Sequence, residues 1–221
     1  MLLRQLQESL GRIYDIPLEH DVCDFLVTDR KVLASENLAA IKPGPEEELL
    51  VHQDGDEVRV SLYVDRRVLE RLSCQDPLEA LHVGNLADFW TALEGVSHFQ
   101  YLAWNAGFDR PVSIHELEMQ AEVDKYAATL FLFGAQQAGR FPQGLHHWLF
   151  DRSSIDRSLT RQKREMYASA NRYAARFCRA LESRFLRGGR VRCEALVREL
   201  RHFYRLTHAP KIRLIEVGHA H

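Results

Sequence analysis

The sequence of 221 residues lacks a strong net charge of either sign, and it lacks a long apolar run. Twenty-nine Lys and Arg side chains against 31 Asp and Glu give a formal net charge of −2. This near balance excludes a globally basic nucleic-acid-binding protein, although a local basic patch is compatible with it. The longest nearly apolar stretch, residues 127–135, is much shorter than the about 20 residues that cross a bilayer. We therefore expect no membrane partner.

Cysteines and sequence signatures of common enzyme classes are also scarce. The four cysteines are widely spaced and include no Cys-x-x-Cys pair, so we expect reduced structural thiols. Polar residues interrupt the apolar ones over residues 1–17, unlike the apolar core of a secretory leader. Together these features predict a cytoplasmic protein. No Gly-x-Ser-x-Gly, phosphate-binding loop or dinucleotide-binding glycine motif occurs, which argues against α/β-hydrolases, P-loop NTPases and Rossmann dehydrogenases.

The periodicity of apolar residues predicts an α+β fold, with a small antiparallel sheet in the N-terminal third packed on a predominantly helical remainder. We expect one domain over residues 1–221, β-rich at about 20–64 and helical at about 65–206, with a final strand at 211–217. The clearest β signal is a hairpin of residues 48–53 and 57–64, joined at Asp54-Gly55. Helices are predicted at residues 1–12, 65–72, after Asp76-Pro77, and at 85–103, 113–137, 155–186 and 191–206.

The two long helices on either side of residue 108 carry a chemically distinctive set of side chains. Glu94 and His98 lie four residues apart on the first helix, and Glu118 and Glu122 have the same spacing on the second. Residue 108 is the midpoint of both 98 and 118 and of 94 and 122. An antiparallel hairpin would therefore place His98 level with Glu118, and Glu94 level with Glu122.

The second helix holds its two glutamates within an apolar stripe, while a helical projection assigns Glu116, Gln120 and Asp124 to the solvent face. Removing a carboxylate from water costs several kcal/mol unless it is paired, protonated or bound to a cation. The partners that the sequence offers are His98, Lys125, an arginine of the C-terminal helix, or a metal.

Three carboxylates and an imidazole suit zinc, iron or manganese. We predict a site for one divalent metal or a cationic small ligand, with hydrolase-like chemistry. His98, Glu118 and Glu122 are the predicted ligands, and Glu94 is a fourth ligand or a general base. Arg172 and Arg176 flank the apolar stripe of the long C-terminal helix, and we expect them to orient an anionic substrate group.

A second hypothesis treats the same four side chains as a structural salt-bridge network in a non-catalytic interaction or regulatory domain. Lys125 and arginines would then neutralise the carboxylates. A partner would bind elsewhere, for example on the arginine-rich helix. Nucleic acid is disfavoured as that partner by the balanced charge and by the lack of glycine-aromatic RNA-binding motifs. The sequence predicts neither the oligomeric state nor the substrate.

Overall fold

The predicted hairpin forms most of a three-stranded sheet in the computed structural model, which describes residues 1–35, 45–54, 57–142, 144–151, 159–186 and 193–218. Strand β2 (Glu47–Asp54) runs antiparallel to β3 (Glu57–Val64), and the short strand β1 (Leu26–Val27) lies parallel to β3 on its other side. The hairpin strands are thus confirmed, but the sheet is mixed and not antiparallel throughout as predicted, because β1 is parallel to β3. Gly55 of the predicted turn lies outside the described residues.

Helices make up most of the described chain, as predicted, and the α+β class is confirmed. Side-chain caps fix several helix starts, since Asp65, Ser113 and Thr160 each accept a hydrogen bond from a backbone N–H of the first turn. The helices are α1 (Leu2–Tyr14), α2 (Arg30–Ser35), α3 (Arg66–Cys74), α4 (Val83–Ala106), α5 (Ile114–Gln136), α6 (Arg161–Leu181), α7 (Cys193–Arg205) and α8 (His208–Val217).

Helices α4 and α5 form the predicted hairpin at the centre of the fold. The sheet, α1 and α3 pack on α4, while α6 packs on α5. Because neighbours cover these two helices on several sides, neither has a single apolar face. Residues 95–101 of α4 are all buried, and seven consecutive residues cover every direction around a helix.

Two local predictions are wrong. Residues 211–217 belong to helix α8 and not to a strand. Lys211 and Ile215, one helical turn apart, are its buried residues, and a short apolar run of this kind fits either periodicity. Asp76-Pro77 begins a turn and no helix, although Asp76 accepts a hydrogen bond from the backbone of Leu78 as a cap would.

The helical projection of α5 is also wrong, because Glu116, Gln120 and Asp124 are all buried. Asp124 accepts hydrogen bonds from Tyr14, from Ser97 Oγ at 2.5 Å and from Gln120 Nε2 at 2.7 Å. Burial raises the pKa of Asp124 to about 6. The supposed solvent face of α5 is thus the inner side of a packed interface.

The same interface continues to helix α8 through a buried lysine. Lys211 Nζ donates to Gln120 Oε1 at 2.6 Å and to the Tyr101 hydroxyl at 2.9 Å. Tyr101 in turn donates to Glu116 Oε1 at 2.7 Å. We use the name polar network for the connected side chains of α1, α4, α5 and α8, which are Tyr14, Ser97, Tyr101, Glu116, Gln120, Asp124 and Lys211.

Replacing Asp124 tests this burial. Asp124→Ala leaves the hydroxyls of Tyr14 and Ser97 and the amide of Gln120 without their acceptor. We therefore expect the free energy of unfolding to fall by at least about 3 kcal/mol, measured by chemical denaturation. Asp124→Asn keeps an acceptor oxygen and should cost less. The exposed-residue control Glu79→Ala should change stability by less than about 0.5 kcal/mol. A loss that small for Asp124→Ala would contradict the buried network.

Candidate functional site

The hairpin of α4 and α5 brings together the four side chains that the sequence singles out. His98 Nε2 lies 3.8 Å from Glu118 Oε2. One helical turn further along the hairpin, Lys125 Nζ lies 2.7 Å from Glu94 Oε2 and 2.9 Å from Glu122 Oε1. The ammonium of Lys125 therefore links the two helices. Both pairings occur at the levels that the midpoint at residue 108 predicts.

Three of these residues form a group with the dimensions of a metal site. Glu94, His98 and Glu118 each offer one ligand atom, and the three atoms lie within 4.8 Å of one another. The group could therefore hold a metal ion after small side-chain adjustments, since bonds from such metals to nitrogen and oxygen are about 2.0–2.2 Å long. Glu122, predicted as a ligand, lies outside this group and is held by Lys125.

A fourth acidic residue, Glu47 at the start of β2, completes the cluster and is missing from the sequence-based prediction. Its Oε1 lies 3.3 Å from His98 Nδ1, and both side chains are at most 10% exposed. Gly95 on α4 makes this approach possible. A Cβ at that position would lie 2.8 Å from Glu47 Cγ and from Leu62 Cδ1. A glycine inside a long helix is the sequence signal that a second element comes close there.

Two buried atoms of the cluster have no hydrogen-bond partner among the described residues. They are Nε2 of His98 and Oε2 of Glu122. Buried polar atoms without a partner are rare in folded proteins. The imidazole contacts Glu47 on its Nδ1 side at 3.3 Å, while its Nε2 side faces Glu118 at 3.8 Å.

The electrostatics of the cluster reflect an excess of carboxylates. Burial alone would lower the pKa of His98, but Glu47, Glu118 and Glu94 together raise it to about 9. Burial raises the pKa of Glu118 to about 7, with Glu94 and Glu47 adding to the effect. Among the described residues, four carboxylates face one lysine and one histidine, and burial together with this crowding raises the pKa values of Glu47, Glu118 and Glu122.

Lys125 changes the balance for the carboxylates that it touches. Burial raises the pKa of Glu94, but Lys125 and His98 outweigh this and lower it below its usual value. Burial keeps the pKa of Glu122 raised in spite of the same lysine. Glu94 is therefore ionised at neutral pH, and its side chain is 26% exposed.

The arginines predicted to bind substrate do not meet these carboxylates. Arg172 is exposed and Arg176 is half-buried on α6. Within the described ranges neither makes a hydrogen bond or ion pair with the cluster. Tyr167 of α6 does interact electrostatically with the cluster. Burial, Glu118 and Glu94 raise the pKa of its phenol to about 12.

Comparisons with known protein families, with curated proteins and with solved structures give no match to this chain. No helix in the part of the chain that the structure describes is long and apolar enough to cross a membrane.

The raised pKa of His98 predicts how stability depends on pH in the metal-free protein. A pKa of about 9 in the folded state, against 6.5 as the ordinary value, means that the folded protein binds this proton more tightly than the unfolded chain. The stabilisation is complete below pH 6.5 and is lost as the pH rises through about 9. One pKa unit corresponds to about 1.4 kcal/mol, so the whole loss is on the order of 3 kcal/mol.

The measurement is urea denaturation of the wild type and of His98→Gln in the presence of a chelator, between pH 6 and 10. We expect the stability advantage of the wild type to shrink across this range. An advantage that is constant, or that grows with pH, would contradict the buried imidazolium.

Proposed function

We propose that this protein binds one divalent transition-metal ion through Glu94, His98 and Glu118. The observation that supports this most strongly is the imidazole of His98. This ring is buried, and its Nε2 has no hydrogen-bond partner in the described chain. One ligand atom each of His98, Glu94 and Glu118 lie within 4.8 Å of one another. A metal bonded to Nε2 would satisfy that atom and bring both carboxylates into one coordination sphere.

The charge of the cluster favours the same proposal. A divalent ion would add two positive charges to a cluster in which, within the described chain, four carboxylates face one lysine and one histidine. Metal binding requires neutral imidazole and ionised carboxylates. Because the pKa of His98 is about 9 and that of Glu118 about 7, binding at pH 7 must release protons. Affinity should therefore increase with pH.

The donor set narrows the identity of the metal. One imidazole nitrogen with carboxylate oxygens suits zinc, manganese or ferrous iron, whereas calcium and magnesium prefer oxygen ligands alone. Three protein ligands also leave a coordination position for water. A metal can lower the pKa of such a water to about 7, so hydrolase-like chemistry is the catalytic extension of this proposal.

Within that extension we assign Glu94 the role of a ligand and not that of a general base. Its pKa is lowered by Lys125, which makes it a weak base. The pKa of about 7 for Glu118 is closer to that of a useful proton acceptor, but its position against His98 Nε2 favours coordination. Arg172 and Arg176 keep no part in the proposal, because they lie apart from these carboxylates.

Metal binding by purified, chelator-treated protein tests the proposal. We expect isothermal titration with Zn²⁺ or Co²⁺ to give about one equivalent for the wild type. Glu118→Gln should weaken binding more than the about 10- to 100-fold typical of losing a residue outside the coordination sphere. Glu116→Gln is the matched control: it removes a buried carboxylate two residues away on the same helix, whose partner is Tyr101. Absence of binding in the wild type, or equal affinities for Glu118→Gln and Glu116→Gln, would contradict a metal site.

Lys125 supports a second candidate, in which the cluster is a structural network of a non-catalytic interaction or regulatory protein. Its ammonium already forms ion pairs with Glu94 at 2.7 Å and with Glu122 at 2.9 Å. A buried ion pair broken on one side typically costs 3–5 kcal/mol. In this case the carboxylates would serve stability alone.

The variant Glu122→Gln separates the two candidates. If the cluster is a metal site, we expect the free energy of unfolding of this variant in chelator to stay within about 1 kcal/mol of the wild-type value. The reason is that Lys125 keeps its ion pair with Glu94 while repulsion between carboxylates decreases. If the cluster is a structural network, the loss should be about 3–5 kcal/mol. Denaturant titration at pH 7 measures the difference.

A further inference from the structure

We propose that Glu47 is the positioning residue of this site, and that its carboxylate holds Nδ1 of His98 so that Nε2 points at the metal. This inference rests on the proposed function and adds to it a residue from the sheet. Glu47 does not belong to the group of three candidate ligands; it would act through the imidazole.

The geometry assigns the two nitrogens of His98 to different partners. Nδ1 lies 3.3 Å from Glu47 Oε1, whereas Nε2 has no hydrogen-bond partner among the described residues and lies 3.8 Å from Glu118 Oε2. A neutral imidazole carries one hydrogen. If that hydrogen is on Nδ1 and is donated to Glu47, the lone pair of Nε2 is directed at the candidate ligands. Histidines that bind a metal through one nitrogen commonly donate a hydrogen bond from the other nitrogen to a carboxylate. This bond fixes the tautomer and raises the basicity of the metal-binding nitrogen.

The backbone of Glu47 belongs to the sheet. Glu47 is the first residue of β2, and it pairs with the fully buried residue Val64 of β3. The other members of the cluster lie on the α4–α5 hairpin. The orientation of His98 therefore depends on how closely the sheet packs against α4.

Gly95 provides an independent sign that this close packing is required. It lies in the interior of the 24-residue helix α4, where glycine costs about 1 kcal/mol relative to alanine. A Cβ there would lie 2.8 Å from Glu47 Cγ and 3.2 Å from Glu47 Oε1. The absent side chain leaves space for the side chain of Glu47 and for Leu62, whose Cδ1 would also lie 2.8 Å from the Cβ.

Two glycine variants make a matched pair for this argument. Gly95→Ala should displace Glu47 while leaving every candidate ligand and Glu47 itself in the sequence. Gly134→Ala is the control on α5, since its Cβ would meet Phe141 only at ordinary contact distances of 3.4–3.9 Å. Gly134→Ala should bind metal as the wild type does.

The experiment combines Co²⁺ titration, followed by the visible absorption of the bound ion, with the ¹⁵N chemical shifts of the His98 imidazole in metal-free protein. For Glu47→Ala and Gly95→Ala we expect Co²⁺ affinity to fall about 10- to 100-fold and the absorption bands to shift. Glu47→Gln keeps an acceptor oxygen for Nδ1–H and should recover part of the affinity. In the metal-free wild type at about pH 10, above the pKa of about 9, we expect the hydrogen on Nδ1; Glu47→Ala should lose this preference.

The two measurements fail separately. If the wild type binds no Co²⁺, the proposed metal function is wrong, while the imidazole tautomer still tests whether Glu47 orients His98. If the wild type binds Co²⁺ and Glu47→Ala binds it equally well, the positioning role is overturned and the metal site stands. A wild-type imidazole with its hydrogen on Nε2 would also overturn the positioning role.

Discussion

Several carboxylates along the α4–α5 hairpin are removed from water, and side chains from the hairpin and from neighbouring elements compensate them. Each buried acid must find a proton, a donor or a cation, because an uncompensated buried charge costs several kcal/mol. The hairpin meets this requirement in two ways. Asp124 receives three hydrogen bonds from neutral side chains. The glutamates near His98 instead depend on charged partners.

The sequence was sufficient to predict the hairpin and the level of its side chains, because these depend on local spacing. Glu94 and His98 share a face through the helical repeat, and the midpoint at residue 108 sets which residues of α5 they meet. The β2–β3 hairpin follows from short-range alternation in the same way. Burial of Glu118 was predictable as well, since apolar neighbours surround it in sequence, and its side chain is 14% exposed.

The sequence was not sufficient where a residue's environment comes from a distant segment. A helical projection assumes one buried face, but α1 and α8 cover the side of α5 that carries Gln120 and Asp124. Tyr14, the partner of Asp124, is 110 positions away in sequence, and Lys211, the partner of Gln120, is 91 positions away. Glu47 was missed for the same reason, since it approaches His98 across 51 positions. Residues 211–217 fit both periodicities, and only packing against the rest of the fold decides for the helix.

The difference between the two buried clusters is what points to function. A polar group retained only for stability is expected to have its hydrogen bonds satisfied within the protein. The polar network meets this expectation at Asp124, Gln120 and Lys211. The glutamate cluster does not, since one nitrogen of His98 and one oxygen of Glu122 lack partners in the described chain. Lys125 carries one positive charge for the two carboxylates of Glu94 and Glu122, and Nε2 of His98, 3.8 Å from Glu118, has no hydrogen-bond partner in the described chain. A cation bound beside this nitrogen would give it a partner and would offset part of the excess negative charge.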